Sequence, residues 1–243
     1  MKFFIALLLF VIPLTNGKAI KAFINDFGTN PDFEKILRDS IEDFRNMMIK
    51  GLPEIGMPVL DPFQEKDIYV PFNDDMAAVS LKLLEVAVED ASKFTIQNLK
   101  ADTDLSFHTE ILIPQLSSFG VYDVKGTIGK IFPLWGNGSF SINMTEINII
   151  GDGKCISKNK SLELNTLNLD LSWDQLNIYA ENLLGSGDFS KAVMKMLSKV
   201  AKNMFVKNKE DIFYSLEPFL VEAINEIIQR PGVFENTEYR LLN

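Results

Sequence analysis

The chain has 243 residues, of which 47% are hydrophobic and 11% aromatic, enough for one domain with a sizeable core. Its net charge is -9, from 24 basic and 33 acidic residues. That balance argues against nucleic acid, whose phosphates need a basic face, and gives no support to binding an anionic membrane surface.

The first residues read as an address. Lys2 gives a positive start, Phe3 to Leu14 is an apolar run, and small residues follow through Gly17 and Ala19. This is the layout of a secretory signal peptide, too short for a comfortable membrane span. The expectation is a signal peptide over residues 1–17, with cleavage after residue 19 as the alternative, and a single ligand-binding domain over 18–243. No later stretch has the ~18 uninterrupted apolar residues of a membrane span, so no stable membrane insertion is expected. Three sequons, at Asn137, Asn143 and Asn159, fit a secreted, extracellular glycoprotein. Cys155 is the only cysteine and has no intrachain partner, so the domain must hold itself together by burial.

Asn30 and Pro31 have the character of a helix N-cap and first position. Phe33, Ile36, Leu37, Ile41, Phe44 and Met48 then fall on one stripe opposed by Glu34, Arg38, Glu42 and Arg45, and Gly51 ends the helix. The next stretch, GLPEIGMPVLDP (51–62), is apolar yet too rich in proline to be helical. Beyond it the period changes to two. Val79, Leu81 and Leu83 alternate with polar residues, then Leu84, Val86 and Val88 continue one residue out of step, which predicts a β-bulge. Further alternation covers 105–113, 122–124, 140–144 and 162–173, with Gly151-Asp-Gly153 read as a turn between antiparallel strands. The chain ends in helical spacing. Phe189, Val193, Met196, Val200 and Met204 form one stripe, widened by Ala192, Leu197 and Phe205. Residues 207–211 are polar, either an exposed turn or a helix already under way. Phe213, Leu216, Leu220, Ile224 and Ile227 form the next stripe, with a kink predicted at Pro218. The fold class is α+β, with helices covering one sheet.

Segment 51–62 resembles the "G-(I/L)-P-E-(L/I)-G-(I/V/M)-P-x-L-D-P" signature of the insect takeout and haemolymph juvenile-hormone-binding protein family. Ile113-Pro114-Gln-Leu116-Ser-Ser-Phe-Gly120-Val-Tyr122 is similar to that family's "P-x-L-x-x-x-G-x-Y". Phe132-Pro133-Leu134-Trp-Gly136-Asn-Gly138 resembles its "L-P-I-x-G-x-G" turn, and residues 209–218 resemble the stretch before its last helix. The family's N-terminal disulfide is missing, since Ile36 stands where one of its cysteines is expected. A bridge of that kind typically contributes 2–5 kcal/mol in a small domain, so the resemblance implies a looser N-terminal arm here.

The resemblance implies a long helix wrapped by a strongly curved antiparallel sheet enclosing a hydrophobic tunnel. It implies a secreted carrier for a small hydrophobic ligand, such as juvenile hormone, another terpenoid or a fatty-acid-like molecule, acting in lipid transport in the haemolymph. The candidate ligand-binding residues are Phe44, Met48, Leu52, Ile55, Met57, Leu60, Phe107, Ile111 and Tyr122, the last as a polar anchor. The same side chains would equally serve as plain core. The alternative is a protein- or lipid-surface interaction module on the same fold, with a receptor or another secreted protein as partner.

Catalysis finds little support. His108, the only histidine, should face solvent with Ser106 and Glu110. There is no Gly-x-Ser-x-Gly elbow, and Gly126-Thr-Ile-Gly129-Lys130-Ile131 is a poor match to a phosphate loop. Asp102-Thr-Asp104 lacks the rest of a calcium loop, and one histidine with one cysteine leaves no structural zinc set. The expectation is no enzyme, no metal and no cofactor.

Overall fold

The computed structural model describes residues 33–51, 53, 58–73, 77–128, 131–158, 161–185 and 187–229. The expected signal peptide, the Asn30–Pro31 helix start, Leu52, Ile55, Met57 and Asn159 lie outside the described residues.

Helix α1 spans Phe33–Lys50. Its stripe of Phe33, Leu37, Ile41, Phe44 and Met48 is buried, and Glu34–Arg38 and Glu42–Arg45 ion pairs lie along its open side. Arg45 also places its guanidinium 4.2 Å from the centre of the Phe94 ring, which fixes the helix over the start of the third strand. Gly51 ends the helix with φ at 69°, a left-handed cap for which glycine needs no strain.

The end of the proline-rich segment is tied to that helix. The Leu60 and Asp61 N–H groups both donate to the Met48 carbonyl, at 2.8 and 3.1 Å. The Asp61 carboxylate accepts from the Asp90 N–H, the Ser92 N–H and the Ser92 hydroxyl, at 3.0, 2.7 and 2.6 Å. It thereby secures the single helical turn Ala91–Lys93.

Seven antiparallel strands follow: β1 Phe63–Asn73, β2 Ala77–Glu89, β3 Thr95–Ala101, β4 Ser106–Ile128, β5 Phe132–Lys158, β6 Ser161–Ser172 and β7 Gln175–Ala180. Their order is β1-β2-β4-β5-β6, with β3 also on β4 and β7 also on β5. Strand β4 pairs with β5 along its whole length, from Ser106–Lys154 to Ile128–Phe132, and the two form the spine of two wings. One wing is β1, β2, the second half of β4, the first half of β5, and β7. The other is β3, the first half of β4, the second half of β5, and β6.

The spine exchanges faces between the wings. On β4 the buried positions are 107, 109, 111 and 113, then 116, 118, 122 and 124; on β5 they are 136 and 140, then 147, 149, 151, 153 and 155. Both shifts sit where Pro114 stands opposite Glu146, whose φ is 51°. Proline has no N–H for the ladder, and the extra residue on each strand turns the pleat over. The bulge predicted in β2 is also present, between Leu84 and Ala87, with Glu85 at φ 50°. Gly120 of the facing strand makes room for it, since a Cβ there would stand 2.7 Å from the Leu84 carbonyl oxygen.

Gly151 and Gly153 are not a turn. Both lie inside β5, because the Phe107 ring from β4 covers Gly153 so closely that a Cβ would meet it at 2.2 Å. The Phe132–Gly138 stretch likewise begins β5 and pairs with β4.

Helix α2 is one continuous element, Asp188–Gln229, running through residues 207–211 and through Pro218. It lies along β6 and β7, the far rim of the sheet. Its buried residues are Ser190, Met194, Phe205, Phe213, Leu220 and Ile224. Of the first stripe, Val193 packs against the core, whereas Phe189, Met196, Val200 and Met204 point away and are exposed. Apolar residues occupy more than one side of this helix, so periodicity could not identify the side that meets the sheet.

Side chains of α2 satisfy the backbone of that rim. Asn225 accepts from the Leu164 N–H and donates to the Leu164 carbonyl, both at 2.8 Å, and Glu217 accepts from the Leu169 N–H at 2.9 Å. Lys202 donates to the carbonyls of Trp173 and Asp174 between the two strands. The Ser198 hydroxyl accepts from the Ile178 N–H, and the Met194 sulfur lies 3.0 Å from the Ala180 N–H.

Candidate functional site: an apolar interior

The inner faces of the two wings and the buried sides of α1 and α2 form one apolar cluster that runs from Phe33 to Ile224. Phe44 and Met48 enter it from α1, Leu60 from the end of the proline-rich segment, and Phe107, Ile111 and Tyr122 from β4. All six described candidate residues are therefore brought together in one buried region. Around it, Val79, Leu81 and Leu83 of β2, Ile142 and Met144 of β5, and Val193, Leu197, Ile212 and Leu216 of α2 are apolar and only partly buried.

Polar groups in this region are few. The Tyr122 hydroxyl donates to the Glu181 carbonyl at 2.6 Å, and its burial raises its pKa. It joins β4 to the segment after β7, which approaches so closely that a Cβ on Gly136 would stand 2.6 Å from the tyrosine oxygen and 2.9 Å from Leu183. Among the described residues, the hydroxyl of Thr109, a residue only 1% exposed, and the indole N–H of Trp173 have no hydrogen-bond partner. An unmade bond of this sort costs about 1–3 kcal/mol. Sequence reasoning singled out neither. Thr109 lies on the buried face between Phe107 and Ile111, and its missing partner is a tertiary fact without a local signal.

Charge is kept to the outer faces. His108 does point outward, as expected, but it is not free. Its Nδ1 lies 2.8 Å from an Asp152 carboxylate oxygen and its Nε2 3.0 Å from one of Glu110. Glu110 first, then Asp152, raises the histidine pKa, and His108 lowers that of Glu110. Cys155 is buried in β5, and burial pushes its thiol up to about 12, so it is a quiet thiol. Among the described residues no group of three or more His, Cys, Asp or Glu side chains could hold a metal ion.

The geometry is thus that of an apolar interior with isolated hydrogen-bonding groups. The structure of Takeout 1 from Epiphyas postvittana matches with a TM-score of 0.57 at 16% identity, covering 83% of this chain and 94% of that one. It establishes the shared fold: a long C-terminal helix packed against a large antiparallel sheet that does not close on itself. A lipopolysaccharide binding protein structure aligns at 13% identity over 66% of this chain and 35% of that one, but its TM-score is only 0.34. No curated protein sequence matches. The profile describing haemolymph juvenile hormone binding protein matches residues 5–231. The chain belongs to the haemolymph juvenile hormone binding protein family, a family of binding proteins and not of enzymes.

Proposed function

We propose that this protein is a secreted carrier that holds a small lipophilic ligand in an internal apolar tunnel. The observation that carries the reading is the interior itself: a continuous apolar cluster from α1 to α2, bordered by partly accessible aliphatic side chains and containing the unpartnered Thr109 hydroxyl. Family membership supports the same reading, as does the name of the family's ligand. The ligand class is a terpenoid such as juvenile hormone, or a fatty-acid-like molecule. Phe44, Met48, Phe107 and Ile111 contribute apolar walls, and the Thr109 hydroxyl offers a polar contact. Tyr122 is less available as an anchor, because a ligand would have to compete with the Glu181 carbonyl. Secretion through the signal peptide of residues 1–17, glycosylation and transport of lipids through the haemolymph belong to this proposal. Among the described sequons, Asn137 is exposed on β5 and Asn143 is half-buried in the middle of it.

The mechanism is burial. A ligand hiding on the order of 400 Å² of apolar surface gains about 10 kcal/mol at 25 cal/mol/Å². Association costs about 4 kcal/mol or more, and one or two hydrogen bonds return about 1 kcal/mol each. The balance corresponds to a dissociation constant around the micromolar range.

The test is native mass spectrometry of protein purified from its own secretion, followed by organic extraction and by reloading of stripped protein with a fluorescent fatty acid. The expected result is a bound lipid and saturable, one-to-one reloading. Protein that is empty as isolated and takes up no probe at micromolar concentrations would refute the carrier reading.

A further inference from the structure

Residues 189–209 hold six lysines, at 191, 195, 199, 202, 207 and 209, and no Asp or Glu, within a chain of net charge -9. They form the first half of α2. At about 100° per residue, Lys191, Lys195, Lys199 and Lys202 form one row along the helix, and Phe189, Met196, Val200 and Met204 form another. The lysine row borders a groove of about 490 Å³ between α2 and β7, which also presents Gln175 and Asn177. Lys191 reaches Asp188 at 3.3 Å and Lys209 reaches Asp170 at 2.7 Å, whereas Lys195, Lys199 and Lys207 pair with no carboxylate among the described residues.

The apolar row is open. Phe189 is 59% exposed, Met196 57% and Met204 61%. An exposed apolar row is costly in water unless something covers it. The lysine row runs along the flank of the helix that faces β7, with Lys199 about 60° round the axis from Met196. It specifies the chemistry of the cover: anionic where the lysines reach and apolar where the row presses. A phospholipid bilayer surface has that layering, with phosphates outside and acyl chains a few ångströms beneath. Lysine stems can lie along the apolar boundary while their ammonium groups reach the phosphates.

We propose that the first half of α2 docks this protein on the surface of bilayers that contain anionic phospholipid, with Phe189, Met196, Val200 and Met204 at the acyl boundary and Lys195 and Lys199 against the phosphates. The docking is peripheral, since no described helix is long and apolar enough to cross a membrane. It holds whether or not the interior carries a ligand, so its test is separate from the test of the carrier reading. The overall acidity of the chain conceals it, because no Asp or Glu occurs between Asp188 and Glu210.

The experiment is flotation of the full chain with vesicles of phosphatidylcholine alone and with vesicles containing about 30% phosphatidylserine, the latter at low salt and at about 0.5 M NaCl. Binding is expected only to the anionic vesicles, and is expected to be released by salt. The double variant Lys195→Gln/Lys199→Gln should bind roughly 25-fold more weakly, about five-fold for each lysine. Met196→Ser/Met204→Ser should also bind more weakly while keeping the salt dependence, and circular dichroism checks that both variants fold. Equal binding to both vesicle types, no binding to either, or lysine variants that bind as well as the unaltered chain would overturn the proposal. So would a dimer, seen by sedimentation and abolished by the lysine substitutions, in a protein that does not float.

Discussion

Phe107 fills the space in which a side chain on Gly153 would have to stand, and this pair shows how a single position can mislead. Gly151-Asp-Gly153 has the composition of a turn, yet the missing side chain serves a ring that arrives from the neighbouring strand, 46 residues earlier in the chain. Gly153→Ala is expected to cost about 1–3 kcal/mol by overpacking. A thermal melt would register this as a drop of about 2–4 °C per kcal/mol for a chain of this size. His108 carries a pH dependence of known sign. Its carboxylate partners raise its pKa in the folded state. The stability it adds is therefore fully present below the unfolded value of about 6.5 and is lost as pH rises through the folded value. His108→Gln should lower stability more at pH 5.5 than at pH 8.5, by less than about 1 kcal/mol because the pairs are partly open to solvent. Urea melts at the two pH values measure the difference, and an equal loss at both would show that the carboxylates do not act on the ring.

The elements differ in how much of them can be read in advance. Helix α1 and the β2 bulge are legible because each has one apolar side and one polar side, so period and phase carry the information. Helix α2 was legible in position but not in orientation. Its apolar residues spread around the axis, and the side that packs is chosen by the rim of β6 and β7, which no window of α2 sequence contains. The consequence is measurable. Met196→Ser should change stability by less than about 0.5 kcal/mol, as for other exposed sites, whereas Leu220→Ala should cost about 2–5 kcal/mol as a core truncation. Asn225→Ala should also cost about 1–3 kcal/mol, since it leaves the Leu164 N–H and carbonyl without their side-chain partner. Chemical denaturation of the three variants ranks these effects, and a costly Met196→Ser would mean that α2 packs on its other side.

At the scale of the whole molecule, the family and the α+β class were legible because particular residues of the stretches 51–62, 113–122 and 132–138, such as Gly51, Asp61, Gly120, Tyr122 and Gly136, are fixed by particular contacts. Gly51 caps α1, Asp61 holds the turn at Ala91–Lys93, Gly120 sits beneath the β2 bulge, Tyr122 reaches the Glu181 carbonyl and Gly136 lets that segment approach. Such contacts tolerate few residue types, so they leave a trace in the sequence. The candidate site is less legible. The side chains that would line a tunnel are the ones that would fill a solid core, and alternation reports only which face they occupy. Ligand binding should appear in the whole-molecule melt. A ligand present at about 100 times its dissociation constant should add about 2.7 kcal/mol to stability, and absence of any shift with saturating terpenoid and fatty-acid probes would count against an internal site.

The way α2 occupies the far rim of the sheet also governs how the protein behaves in a crowd. An open row of peptide groups invites another chain to add a strand, and here Asn225, Glu217 and Ser198 already answer those groups along β6 and β7. The opposite rim, β1, defends itself differently, with Gln64, Glu65, Lys66 and Asp67 exposed and Pro71 unable to donate a hydrogen. Detachment of the long helix would therefore strip this cover from one side and leave a template for stacking, so precipitation on heating should begin with loss of helix and not with loss of sheet.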